Sequence, residues 1–338
     1  MKKVIFLLIL FLSYNSYAQE SLEYLNQISD LQNDISKKYL SYISSVSHGK
    51  SARKVENKRM DLITTVKISK AKAVNMHAFK GDLSLKDALK SYLEIVNNVL
   101  NEDYGKIVNM EEVAEQSYDG MEALFLAQDL ADKKSKEAFD KFASGYNLFA
   151  KKNNINIVES KSAFSEKLLK ASQVEKYYHN IYLLFFKSFK QEDYLIEAQN
   201  RKNISSIEQN KNTLEKYAKQ AISVLDTSKA FMNDRSLVVV LKELMAFYMD
   251  EASKSKVITD YFLKEENFAK MSKAFNAKPA KSRTQADVDN YNKMVNELNA
   301  AMNDFNALNN DFNKKRSTLI EKWNKSTSKF LDYHMPKY

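Results

Sequence analysis

The sequence predicts an all-α protein, organised as two tandem four-helix-bundle-like repeats of about 150 residues with long helices and no sheet. Five glycines and two prolines occur in 338 residues, where average usage would give about forty of the two together. Long helices exclude these residues, whereas sheets and irregular loops need them. Apolar residues also recur at helical spacing along nearly the whole chain. In addition, one short segment is repeated 152 positions later.

The first half of the chain contains the pattern of four helices. Three helices are expected before residue 106, each with an apolar stripe on one face and a glycine or a capping residue at its ends. A short helical connector follows, and a fourth helix is expected over about 118–152. The predicted stops and caps of the first three helices are Gly49, Ser51, Gly81, Ser84 with Asp87 as a capping box, and Gly105.

The second half repeats this order. Its expected helices cover about 163–200, 204–231, 235–253 and 284–331. Apolar residues of the last helix are three or four positions apart from Val288 to Phe312, which is the seam of a coiled coil. Thr284 and Asp287 are expected to cap this helix, and a longer connector is expected over 254–283.

The repeat is visible in the residues themselves. Residues 78–90 and 230–242 both read A-F-x-x-D-x-S-L-x-x-x-L-K, seven identities in thirteen positions. A structural role is the main interpretation: the phenylalanines are core anchors, and the polar residues satisfy free N–H groups where the third helix begins. A binding role for the turn is the alternative. These residues are Phe79, Asp82 and Ser84 in the first copy, and Phe231, Asp234 and Ser236 in the second.

The first eighteen residues have the order of a secretory signal peptide. Lys2 and Lys3 precede the apolar run Val4–Leu12, and Ser16 and Ala18 are small residues suited to cleavage before residue 19. Retention of the segment as an anchor is the alternative. Cleavage would remove both lysines and change the formal net charge from +9 to 9 − 2 = +7. The expected division is therefore a signal peptide at 1–18, a first unit at 19–153 and a second at 160–338, with Asn153–Glu159 between them.

The composition restricts the expected cellular location of the chain and its expected binding partners. Without cysteine, neither a disulfide framework nor a lipid-modified cysteine can form. No apolar run after residue 18 approaches the about 20 residues of a membrane helix. Together with the signal peptide, this predicts an exported protein of the periplasm, the cell surface or the extracellular space. Nucleic acid is an unexpected partner for an exported chain. The dispersed lysines indicate a solvated surface; the alternative is attraction to an anionic envelope surface, first at Lys50–Arg59 and Lys278–Arg283. The oligomeric state stays open.

The motifs of common active sites are missing from the sequence. It contains no cysteine nucleophile and no G-x-S-x-G elbow. A di-metal carboxylate bundle needs Glu-x-x-His, which does not occur, and Glu175 with His179 is an isolated pair four residues apart. His179 is the one histidine that we expect to be partly buried. We therefore predict no catalytic residue, no cofactor site and no metal site.

Aromatic residues crowd the helix expected over 163–200. We interpret this helix as buried in the core of its unit, and Trp323 as a core residue. A groove for an apolar ligand or a partner helix is the alternative interpretation. The residues of that candidate groove are Tyr178, Tyr182, Phe185, Phe186 and Phe189.

This layout, with a signal peptide, no cysteine and paired lysine-rich helical units that share the segment at 78–90 and 230–242, resembles uncharacterised exported or surface all-helical proteins of Gram-negative bacteria. The resemblance implies location and fold and carries over no functional residues. We expect a non-catalytic protein whose helical faces bind an envelope protein or an anionic envelope surface. The alternative is a periplasmic carrier that binds an apolar or anionic ligand between helices.

Overall fold

The computed structural model of the chain describes residues 2–48, 51–157 and 163–337. In these ranges the secondary structure is helical and no sheet is present, which confirms the predicted all-α class. A π-helical turn, Val99–Asp103, links the third and fourth helices, and a 3₁₀ turn, Ala280–Ser282, precedes the last. The α-helices are α1 (Lys2–Ser47), α2 (Ala52–Asn75), α3 (Ser84–Asn98), α4 (Tyr104–Ala114), α5 (Tyr118–Lys152), α6 (Ala163–Asn200), α7 (Ile204–Thr227), α8 (Ser236–Ala277) and α9 (Gln285–His334).

The chain forms two compact units. Unit 1 is Met1–Lys176 with Leu331–Tyr338, and unit 2 is Tyr177–Phe330. The boundary expected at Asn153–Glu159 runs into residues 158–162, which lie outside the described residues, as does the helix stop expected at Gly49.

In unit 1, each helix packs on its neighbour in the chain. α1 packs on α2 and α2 on α3, and both α3 and α4 pack on α5. The buried stripe of α3 has the i, i+4, i+8 spacing that places apolar side chains on one helical face. Fully buried residues of this core include Leu25, Ile28, Leu40, Leu62, Leu85, Leu89 and Leu93.

The third helix of unit 1 does not end near Gly105, as the sequence suggested. The π turn carries the chain without a break from α3 into α4, and Gly105 lies inside α4. Val99 and Leu100 are consecutive residues and both are buried. The wider turn rotates the apolar stripe, so that Val96 before it and Ile107 after it also face the core.

In unit 2, α7 packs on α8, and α8 is longer than predicted. The connector expected over 254–283 is helical as far as Ala277. Ile258 and Phe262 continue the buried stripe of this helix, and the ring of Tyr261 stacks on Phe305 of α9 at 4.6 Å between centroids. The helix ends just before Pro279, the first residue of the segment that cannot continue it.

The caps were predicted in part. Thr284 and Asp287 form the expected capping box, with Asp287 N–H donating to Thr284 Oγ1 at 3.2 Å and Thr284 N–H donating to Asp287 Oδ2 at 2.9 Å. The Ser84–Asp87 box does not form, because the N-cap position of α3 is occupied by Leu83. Ser51 occupies the N-cap position of α2, but its side chain makes no cap hydrogen bond. Ser117, which was not predicted, caps α5 by accepting the N–H of Gly120.

α1 includes the segment expected to be a signal peptide. Its backbone is helical from Lys2 to Ser47. Among the side chains of α1 that the structure describes, those of Ser21 and Leu25 are buried in the core of unit 1, whereas Gln19 and Glu20 are exposed. Of the helices in the described ranges, none combines the length and the apolar character needed to cross a membrane.

Candidate functional sites

The repeated segment forms the same turn in both units. Phe79 and Asp82 exchange two backbone hydrogen bonds of 3.1 and 2.9 Å, and Phe231 and Asp234 exchange two of 3.0 and 2.8 Å. The central residues have positive φ in each case: 49° and 87° at Lys80 and Gly81, and 46° and 67° at Met232 and Asn233. Positive φ at both central positions is the signature of a type I′ turn.

The aspartate of each turn starts the next helix. Asp82 Oδ1 accepts the N–H of Ser84 at 2.9 Å, and Asp234 Oδ1 accepts the N–H of Ser236 at 2.7 Å. In unit 1 the Nζ of Lys152 also lies 2.6 Å from Asp82 Oδ2. Hydrogen bonds from Lys152 and then Ser84 hold the pKa of Asp82 below its usual range. The predicted capping role of the two aspartates is confirmed.

The phenylalanine of each turn completes a trio of aromatic rings. In unit 1, Phe79 lies 5.4 Å from Tyr24 of α1 and 5.2 Å from Phe149 of α5, centroid to centroid. In unit 2, Phe231 lies 5.2 Å from Tyr177 of α6 and 5.6 Å from Phe330 of α9. These spacings are typical of stabilising aromatic pairs. The first turn therefore holds the end of α2 against α1 and α5, and the second turn holds the end of α7 against α6 and α9.

The predicted aromatic groove on α6 is partly core. Phe185 and Phe186 are buried, and Phe185 stacks on the fully buried Trp323 of α9 at 4.6 Å. Tyr178, Tyr182 and Phe189 are half-buried at the edge of the same cluster. Phe189 stacks on Phe185 at 5.3 Å, and Tyr182 on Phe186 at 5.7 Å. The five residues thus form one stacked layer, and only its edge reaches solvent.

A buried charged cluster in unit 2 was not predicted. Arg316 of α9 donates from Nε to Glu192 Oε1 of α6 at 2.6 Å and from Nη2 to Glu251 Oε1 of α8 at 2.5 Å. Both glutamate side chains are 1% exposed, and the arginine side chain is 20% exposed. The fully buried Tyr248 of α8 lies beside them. Burial raises the pKa of both carboxyls, and the neighbouring Glu192 raises that of Glu251 further.

The sequence did contain a signal for this cluster. Glu192 lies on the stripe of Ser188 and Leu195, and Glu251 on the stripe of Tyr248 and Ser255, all of them buried. Charged residues at such positions are almost never buried unless they are paired. A glutamate inside an apolar stripe therefore indicates a partner elsewhere in the core.

Unit 1 holds a second cluster, made of carboxyl and tyrosine side chains. Tyr104 of α4 donates to Asp132 Oδ1 of α5 at 2.7 Å, and Tyr39 of α1 donates to the same oxygen at 3.3 Å. Burial raises the pKa of Asp132. Burial, and then the charge of Asp132, raise the pKa of Glu175 on α6 to about 8. In unit 1 the half-buried contact of Tyr39 with Asp132 thus joins α1 to α5, and in unit 2 the buried pair of Glu192 with Arg316 joins α6 to α9.

The histidines are distributed differently from the expectation. His334 is 2% exposed and the His48 side chain 10% exposed, so His179 is not the one partly buried histidine, and that prediction is wrong. Within the described ranges, no group of three or more histidine or carboxylate side chains is arranged to hold a metal ion.

A shallow depression lies between α1 and α2 of unit 1. Its volume is about 510 Å³. Ile68 and Ala71 of α2 form part of its apolar lining, and Lys72 and His77 add polar groups. Most of the lining side chains are exposed, so the depression is open surface and not an enclosed cavity.

No protein-family model matches the chain, and no curated protein or solved structure is similar to it. A functional proposal therefore depends on the residues of the chain itself.

Proposed function

We propose that the chain is an exported, non-catalytic interaction protein built from two copies of one four-helix unit. The duplication is supported by helix positions: α2 and α7 both have 24 residues, and they begin at 52 and 204 and end at 75 and 227. The offset is 152 at both ends, and the starts of α3 and α8, at 84 and 236, differ by the same number. The shared turn and aromatic trio support the same proposal.

The proposed units follow the division at 19–153 and 160–338. The first contains α1, α2, α3 with α4, and α5, and the second contains α6 to α9. In this correspondence Tyr24 matches Tyr177, Phe79 matches Phe231, and Phe149 matches Phe330. The long α8 takes the place of α3, the π turn and α4.

Export through a cleaved signal peptide is supported by the order of the first eighteen residues, in which Lys2 and Lys3 precede the apolar run Val4–Leu12 and small residues stand at Ser16 and Ala18. The envelope of the cell is the proposed location.

The observation that carries the interaction role is a second apolar stripe on α5. Its first stripe, with Leu124 and Phe142, is buried in unit 1. Ala123, Leu126 and Leu130 lie on a different face, and the two leucines are 58% and 50% exposed. Positions i, i+3 and i+7 are those at which one helix presents apolar anchors to a partner. The partner of this face is proposed to be an apolar surface of an envelope protein.

This role can be tested in cells that express the chain with its own first eighteen residues. A photo-crosslinking amino acid at position 126 should give an adduct of defined mass with an envelope protein. The matched control is the same substitution at Leu148, which is 67% exposed on the same helix. Leu126→Lys with Leu130→Lys should abolish the adduct formed from a crosslinker at position 127. Equal adducts from positions 126 and 148, or none from 126, would contradict the proposal.

A carrier is the second candidate, and the depression beside α2 is the observation that favours it. Apolar lining and a Lys72 with no partner among the described residues would suit an anionic amphiphile. A fluorescent long-chain fatty acid should then bind, and Lys72→Glu should weaken binding at least tenfold while Lys141→Glu, an exposed lysine of α5, leaves it unchanged. Binding that is insensitive to Lys72→Glu would exclude this depression as the site.

A further inference from the structure

The charged cluster of unit 2 is unbalanced. Two carboxylates, Glu192 and Glu251, face one guanidinium, that of Arg316. The third nitrogen of the guanidinium, Nη1, donates to Asn313 Oδ1 at 2.6 Å, so each of the three nitrogens already has an acceptor. With both carboxyls ionised, the cluster would carry one uncompensated negative charge among groups of which two are 1% exposed. Burying such a charge is costly, and the usual outcome is that the group takes up a proton.

The surroundings supply no second cation among the described residues. α6 contributes Glu192, α8 contributes Tyr248 and Glu251, and α9 contributes Arg316. α7 packs on α8, and its ion pairs, Lys211–Glu208 and Lys219–Glu215, are both formed between residues of α7 itself. The neighbouring Lys315 pairs with Asp311 at 2.7 Å and lies 4.0 Å from Asp250, all of them outside the buried cluster.

One oxygen of the cluster, Glu251 Oε2, is buried and accepts no hydrogen bond from the described residues. A carboxylate oxygen that accepts no hydrogen bond has lost the hydration of its charge without a replacement. The same oxygen, when protonated, becomes a donor and needs no cation. Glu251 Oε2 is therefore the atom where a proton removes the largest penalty.

We infer that unit 2 holds one proton between Glu192 and Glu251, and that loss of this proton loosens the packing of α9 against α6 and α8. The proton leaves one carboxyl neutral and the other paired with Arg316, so the cluster as a whole becomes neutral. Its departure to water leaves a net negative charge inside the core.

The sign of the pH dependence follows from the direction of the shift. Burial raises the pKa of both carboxyls above their value in the unfolded chain. The folded unit then binds more protons than the unfolded chain, so its stability falls as pH rises above the usual pKa of a glutamate, about 4.3. The loss is complete above the raised pKa, where both states are ionised. One shared proton changes the unfolding constant by at most about tenfold per pH unit.

Trp323 is a spectroscopic probe inside unit 2. It is the one tryptophan of the sequence, it is 1% exposed, and it stacks on Phe185. Selective excitation of its fluorescence during urea unfolding follows this unit in the full chain. Such a probe is needed because Glu175 in unit 1 also has a raised pKa and would add a slope of the same sign to a global measurement.

The experiment compares unfolding curves of the wild type and of Glu251→Gln between about pH 5 and about pH 9. Wild-type unit 2 should lose stability as pH rises, with the steepest part close to tenfold in the unfolding constant per pH unit. Glu251→Gln leaves Glu192 and Arg316 as a balanced pair, so most of the slope should disappear. Glu243→Gln, on the exposed surface of the same helix beside Lys322, is the matched control and should keep the slope.

A second variant keeps the inference testable if Glu251→Gln does not fold. Glu192→Gln also leaves one carboxylate with Arg316 and should remove the slope in the same way. In addition, infrared difference spectra at neutral pH should contain the band of a protonated carboxylic acid that both variants lose. A wild-type slope equal to those of the two variants, or the absence of that band, would overturn the inference. The proposed interaction role would be unaffected by either result.

Discussion

Phe79 and Phe231 occupy the same position in their turns, but they differ in exposure. Phe79 is buried, whereas Phe231 is half-buried beside the buried Phe330. The energetic importance of a ring depends on how much of it is removed from water and how well the space can close after truncation. The two residues should therefore contribute unequally to their units, although the trios have similar spacings.

Phe79→Ala should lower the free energy of unfolding by about 3–5 kcal/mol, as is usual for a buried phenylalanine. Phe231→Ala should cost roughly half of that, since part of its ring already contacts water. Circular dichroism in urea measures the first variant, and Trp323 fluorescence the second. Phe139→Ala on α5, where the ring is 45% exposed, is the control and should cost least. If Phe231→Ala lowered the free energy of unfolding more than Phe79→Ala, the exposed fraction of the ring would not determine its contribution to stability.

The cluster around Arg316 shows why single residues are hard to pair from a sequence. The stripes of α6 and α8 mark Glu192 and Glu251 as charged residues at core positions. The partner of Glu192 lies 124 positions away, on a helix that contains several other basic residues. Only the three-dimensional packing selects Arg316 from among them. Periodicity could therefore predict that a buried charge exists and could not predict what neutralises it.

At the scale of the turn, the turn of unit 1 and the turn of unit 2 can each serve as the control for substitutions in the other. Gly81 has φ of 87°, and the matching Asn233 has φ of 67°. Both residues tolerate the left-handed region, and a β-branched residue does not. A Cβ added at Gly81 would meet no atom within 4 Å, so a substitution there is opposed by the backbone alone.

Gly81→Val should therefore destabilise unit 1 by about 1–2 kcal/mol, the usual cost of a left-handed conformation. Gly81→Asn should be close to neutral, because the second turn already uses asparagine at this place. Thermal unfolding followed by circular dichroism would measure both. Equal losses in the two variants would contradict a purely conformational cause.

The cap of α9 allows a similar comparison. Thr284→Ala removes the oxygen that accepts the N–H of Asp287 and should cost about 1 kcal/mol. Thr318→Ala is the control, since this exposed hydroxyl bonds only to the carbonyl of Lys314 in the preceding turn of the same helix. Trp323 fluorescence in urea reports both variants. If Thr318→Ala destabilised the protein as much as Thr284→Ala, the lost cap could not explain the effect of Thr284→Ala.

Helix positions were predictable where glycine, proline or a cap coincides with a change in the apolar stripe. α5 at 118–152 and α6 at 163–200 were predicted with the bounds they have. The sequence predicts α8 too short, because the apolar stripe weakens after residue 253 and resembles a connector there. The π turn was missed, since a one-residue shift in the stripe resembles the end of one helix and the start of another. Local sequence signals thus predict where a helix starts better than they predict how far it continues.

At the scale of the whole molecule, the clearest expectation concerns the mature chain. Processing after Ala18 should give a protein that begins at Gln19 and lacks Lys2 and Lys3. Mass spectrometry of the chain recovered from the envelope of an expressing cell would measure this directly. Ala18→Lys should block cleavage and leave the full-length mass, whereas Ala52→Lys should be processed normally. An uncleaved wild-type chain would support retention as an anchor.

The equal spacing of the two turns indicates where in the chain an insertion or a deletion can be tolerated. The distance from the start of α2 to the start of α3 equals the distance from the start of α7 to the start of α8, since both starts are 152 residues apart. One residue added to α2 or α7 would rotate everything after it by about 100°. The phenylalanine of the turn would then be rotated away from its aromatic partners, while the buried stripe before the insertion kept its position. This stretch should accept many substitutions but no insertion or deletion. The distance from the start of α3 to the start of α5, in contrast, already differs from the distance from the start of α8 to the start of α9.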